Sequence, residues 1–187
     1  MISVLGSFLL GFAWRACPGF KSAFEDWWYD SGCGPHFRSR TAATSLKTIT
    51  SAQADYRAND RDGNHLNDYW RGDIAGLYTI QSCNGDAIKL IELSVASADD
   101  RPVTDLSPYA VRSSKTGYWF RALRHEDERT PSPDRFAACA FPENRAAGKY
   151  TFIVDETNTI YRKRLRGPRG VFFYPKDPER DGWAKLD

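Results

Sequence analysis

Between Ala42 and Tyr56 the chain repeats an apolar stripe, with Ala42, Leu46, Ile49, Gln53 and Tyr56 recurring at steps of four, three, four and three. That spacing follows the 3.6-residue period of an amphipathic helix and predicts a helix over residues 41–58. Lys47, Asp55 and Arg57 fall off the stripe, and Ser39 or Thr41 is placed to cap the start. Asn59-Asp60 and Asp62-Gly63-Asn64 end the helix, because their short side chains compete for backbone hydrogen bonds. A helix with one apolar stripe is built to pack on a sheet.

Further along, Ile88, Ile91, Val95 and Ala98 are spaced three, four and three, which predicts a second, shorter helix over residues 88–98 ended by Pro102. Runs rich in aromatic and β-branched residues predict strands at 118–123, 136–141, 150–155 and 159–164, the last two joined by Glu156-Thr157-Asn158 as a hairpin. Residues 167–187, rich in Pro, Asp and Arg, read as a tail over the surface anchored by Phe172, Phe173, Tyr174 and Trp183. At the front, residues 1–38 read as an apolar and aromatic leader broken at Pro18, Gly32, Gly34 and Pro35, which leaves 39–187 as one globular domain. The expected fold class is therefore α+β.

Size and charge narrow the functional classes. A chain of 187 residues is long enough to bury a genuine core. With 26 basic and 24 acidic residues spread along it, the net charge of +2 predicts neither a nucleic-acid footprint nor a polybasic membrane surface. Aromatics make up 14% of the chain, with six Trp, which suits a small sheet covered by large side chains.

The segment SLKTITSAQADYRANDRDGN resembles the extramembrane half of the long helix in bacterial type IV pilin-like proteins and type II secretion pseudopilins. GYWFRAL, and FAACAFPEN followed by AGKYTFIVDETNTIYRK, resemble stretches of a group of uncharacterised exported bacterial proteins. The resemblance implies a pilin-like fold, with the helix across a small antiparallel sheet. It also implies a non-enzymatic role in a surface or secretion filament, an extracytoplasmic location, and other pilin-like subunits as partners. The front of the chain departs from the pattern. Gly19-Phe20-Lys21-Ser22-Ala23-Phe24-Glu25 puts the glutamate one place late, and Asp26 to Asp30 is no membrane span. The apolar run from Met1 to Trp14 is shorter than the ~20 residues of a spanning helix and has no Lys or Arg before Arg15. The alternative is a stand-alone exported or lipid-anchored protein with a binding role, Ala16-Cys17 being the lipoprotein-like step.

Chemistry concentrates in the acidic loop. Asp60, Asp62, Asn64 and Asp68 form D-x-D-x-N-x-x-x-D, an alternation that can gather oxygens around calcium, with the Leu66 carbonyl in reach. His65 stands where an EF-hand loop needs its sixth-position Gly, and Arg71 where it needs its bidentate Glu. The calcium site of pseudopilins lies near the C-terminal end of the domain, so it does not transfer to these residues. The other reading is a turn held by Asx hydrogen bonds. In an oxidising compartment Cys83 and Cys139 are the preferred disulfide; otherwise Cys139, flanked by Ala138 and Ala140, is a small buried hydrophobe. His36, His65 and His125 sit in separate polar contexts without a catalytic motif, and residues 125–129 read as a solvated charge run. No catalytic residue and no cofactor other than calcium is expected.

Overall fold

The computed structural model describes residues 35–82, 84–127 and 132–186. The leader expected over residues 1–38 lies almost wholly outside them. The contacts divide the chain after Phe37 into two units, of which the second, Arg38–Asp187, holds both sheets.

Helix α1 (Pro35–Ala58) begins earlier than the predicted caps, at a proline, which is tolerated in a first turn because the N–H groups there have no intrahelical acceptor. Its polar residues are satisfied locally: the hydroxyls of Thr48, Thr50 and Ser51 donate to the carbonyls of Thr44, Leu46 and Lys47. The helix ends where Asp60 takes a φ of 44°, in the left-handed region that short polar side chains tolerate. The stripe read from the sequence is the buried face, with Leu46 and Ile49 fully covered.

After the loop come two single helical turns, α2 (Gly76–Thr79) and α3 (Leu93–Ala96), and a two-stranded sheet of β1 (Ile80–Gln81) and β2 (Ala87–Ile88). The second helix expected over residues 88–98 is thus mostly replaced. Ile88 pairs with Ile80 in a strand, and only 93–96 wind into a turn. The main sheet holds β3 (Tyr118–His125), β4 (Ala137–Pro142), β5 (Thr151–Asp155), β6 (Ile160–Lys163), β7 (Phe173–Tyr174) and β8 (Ala184–Lys185), in the order β7-β3-β4-β5-β6-β8. β3 to β6 form an antiparallel meander, but β7 lies parallel to β3, with Arg124 opposite Phe173 and His125 opposite Tyr174.

These findings overturn the pilin-like α+β expectation of an N-terminal helix on a small antiparallel sheet. The architecture is β-rich, a mixed six-stranded sheet accompanied by a second sheet of two strands. The physical reason lies in the tail. It does not stride over the surface but supplies both edge strands, β7 beside β3 and β8 beside β6, covering backbone groups that an open meander would leave unpaired. Tyr174 and Trp183 are buried as anchors, whereas Phe172 and Phe173 remain about half exposed, at 49% and 53%.

Alternation along the strands separates two apolar clusters. Tyr118, Phe120, Ala138, Ala140, Phe152 and Val154 join the α1 stripe in one, while Leu123, Ala137, Cys139, Phe141, Ile153, Tyr174 and Trp183 form the other. Every residue of β4 is buried, and its run of small side chains lets elements approach closely from both sides. Arg121 fastens the edge: it lies between the rings of Phe141 and Phe172, at 5.0 and 4.2 Å, and donates to Asp100 and to the Val171 carbonyl. No helix among the described residues is long and apolar enough to cross a membrane.

Candidate functional site

Where α1 meets the C-terminal end of β3 the packing leaves a cleft of about 150 Å³, floored by Ala122 and bordered by Ile49, Gln53, Trp70 and Ala138. Its first wall is the segment after the acidic loop. Gln53 reads that segment as a backbone would, its Nε2 donating to the Trp70 carbonyl at 3.1 Å and its Oε1 accepting from the Trp70 N–H at 3.0 Å. The Trp70 indole donates to the Asp73 carbonyl at 2.8 Å and meets the Tyr56 ring edge-on at 5.8 Å. Gly72 and Gly76 permit this placement, since a Cβ on either would lie 2.4 Å from the indole Cζ2. Asp73 then binds the next loop, accepting from the N–H groups of Gly76, Val103 and Thr104 and from the Thr104 hydroxyl.

The far end of the cleft is closed by the end of β3 at His125, which is 2% exposed and whose ring turns to the other face of the sheet, 5.2 Å from Tyr174. Arg135 Nη2 donates to the His125 Nδ1 at 2.7 Å, while the His125 Nε2 faces the Phe136 carbonyl at 3.3 Å and Glu156 Oε2 at 3.6 Å. A guanidinium only donates, so in this arrangement the ring proton sits on Nε2. Burial works against a charged ring and Arg135 adds to it. The Glu156 carboxylate at 3.6 Å, together with the Phe136 carbonyl, outweighs both and holds the imidazole above its ordinary pKa. Burial pushes Glu156 the other way, but the nearby His125 ring, its own backbone and the Arg135 charge bring it below the usual carboxylate range. Arg135 also pairs with Asp127 at 3.0 Å, and the Tyr69 N–H donates to the Pro133 carbonyl at 2.8 Å, so the two sides of the cleft are tied together.

The cleft therefore combines shape and charge. Both nitrogens of His125 are committed, and Ser132 is the single hydroxyl side chain among the described lining residues. Arg71 and Arg124 line the cleft and are exposed, and among the described residues neither guanidinium has a hydrogen bond or an ion pair.

The residues singled out by sequence lie elsewhere. Asp60 Oδ2 accepts from the His65 N–H at 3.0 Å, Asn64 Oδ1 accepts from the Leu66 N–H at 2.6 Å, and Asn64 Nδ2 donates to Asp62 Oδ2 at 2.8 Å, a set of Asx-type turns. Asp68 is buried, and its Oδ1, like that of Asp60, has no hydrogen-bond partner among the described residues. No group of three or more His, Cys, Asp or Glu among the described residues is gathered as a metal would need. With oxygens of Asp60, Asp62 and Asn64 engaged in the turns, equal melting temperatures are expected in excess calcium and in excess chelator. Stabilisation by about 2.7 kcal/mol at 100 times a dissociation constant would show instead that the loop reopens around the ion.

Cys139 is a free, fully buried thiol whose Sγ lies 3.7 Å from the Val171 carbonyl, and burial pushes its pKa up to about 12. Its expected disulfide partner, Cys83, lies outside the described residues. His125 is the residue that sequence reasoning missed. Its neighbours mark a solvated charge run, yet it continues the alternation of β3 onto the face of Leu123. Compared with known proteins, the chain matches no protein-family model, no curated protein and no solved structure.

Proposed function

We propose that the chain is a non-enzymatic binding domain of an exported protein and that its cleft between α1 and the end of β3 holds one small ligand. The observation behind this reading is the cleft of about 150 Å³ whose walls are immobilised by Gln53, Trp70, Asp73 and Arg135 while its floor is the small, exposed Ala122. Rigid walls around a small floor are what a preorganised site requires, because little ordering entropy is lost on binding. The extracytoplasmic location draws on the likeness of residues 45–64 to pilin-like proteins and of residues 117–123 and 136–163 to exported proteins. A filament-subunit role draws on the first of these likenesses and on no feature of the cleft.

Amide shifts of the labelled chain, followed as small organic fragments are added, test the reading. Fragments that bind should move Trp70, Ala122 and Ala138 together, and Ala122→Leu, which fills the floor, should abolish the response. A scattered pattern, or one that Ala122→Leu leaves intact, would count against the cleft.

A further inference from the structure

We infer that the cleft takes a carboxylate carried on a body about the size of a benzene ring, an inference that rests on the cleft being a binding site. Charge narrows the ligand first. Of the ionisable groups that line the cleft, the Asp73 carboxylate is filled by four donors, and Arg135 is held by Asp127 and Glu156. Arg124 and Arg71 are left, both exposed and without a hydrogen bond or ion pair among the described residues, so theirs are the guanidinium donors of the cleft not yet engaged.

A guanidinium presents a planar fork of donors, which a carboxylate meets with two parallel hydrogen bonds. The remainder of the ligand is set by the floor. Ala122 and the half-buried Trp70 ring offer apolar surface, and about 150 Å³ is the volume of a protein cavity that admits a benzene ring. Inorganic phosphate would leave that apolar surface uncovered, and an ammonium ligand would face two cations. Such a carboxylate reaches a protein from two sources, as a free small acid or as the C-terminal residue of a peptide.

The test titrates the full labelled chain with benzoate, with benzamide, and with a tripeptide ending in phenylalanine whose C-terminus is free or amidated. Benzoate should move the amides of Ala122, Ala138 and Trp70, and benzamide should bind at least about tenfold more weakly. Arg124→Gln should lose about tenfold toward benzoate and nothing toward benzamide; Arg71→Gln serves the same comparison if the first variant does not fold. Equal affinities for benzoate and benzamide in the unmodified chain would overturn the carboxylate assignment while leaving the cleft a site. No response in the cleft to either probe would overturn the binding reading itself. Tighter binding of the free than of the amidated tripeptide identifies a chain terminus, and benzoate binding without tripeptide binding identifies a free acid, both in support of the carboxylate.

Discussion

Leu46→Ala is expected to destabilise the fold by about 3 kcal/mol, while Lys47→Ala, one position along, changes stability by less than about 0.5 kcal/mol. Leu46 is fully buried in the cluster that joins α1 to Tyr118, Phe120, Ala138 and Ala140, so its loss removes transfer energy and leaves a cavity between a helix and a sheet. Neither side collapses easily: β4 already brings small side chains to that cluster, and α1 is held at its far end by Gln53 on Trp70. Lys47 is exposed and loses only solvent contacts. Denaturant melts of the two variants check the pair, and comparable losses would mean that the helix is turned differently.

Asp73→Ala should have a similar effect, about 3 kcal/mol, for a different reason. Its carboxylate accepts from three backbone N–H groups and one hydroxyl, joining the Trp70 segment to residues 103 and 104, and its removal leaves several donors unanswered at once. Asp73→Asn keeps one oxygen acceptor but turns an amide N–H₂ toward donors, so it should fall between the two. Chemical melts of both variants, read beside amide shifts at Gly76 and Thr104, separate loss of the junction from general unfolding. An Asp73→Ala variant as stable as the parent would show that the junction carries no energy.

The parts of the fold legible in the sequence are those with a local period. The α1 stripe is visible because Lys47, Asp55 and Arg57 interrupt it at helical spacing, and β3 to β6 because aromatic and β-branched residues cluster between turns. The parts that are not legible involve distant partners. Phe173 and Tyr174 form a strand only because β3 lies beside them, and a parallel pairing across nearly 50 residues leaves no mark on the local pattern. Ile88 satisfies a helical spacing but is drawn into a strand by Ile80. The cleft is equally hidden, since its floor is defined by what Ala122 lacks. His125 looks solvated beside Glu126 and Asp127. Its burial depends on Arg135 and Glu156, which lie just before β4 and just after β5. The acidic loop is conspicuous for the opposite reason: turn residues advertise themselves in sequence whether or not they bind anything.

A crystal structure of the chain grown with benzoate would decide whether the cleft is a carboxylate site. The ring is expected against Ala122, between Trp70 and the end of β3, with its carboxylate on Arg124. Benzoate bound elsewhere, or a cleft closed by movement of Trp70 or Arg135, would contradict the assignment.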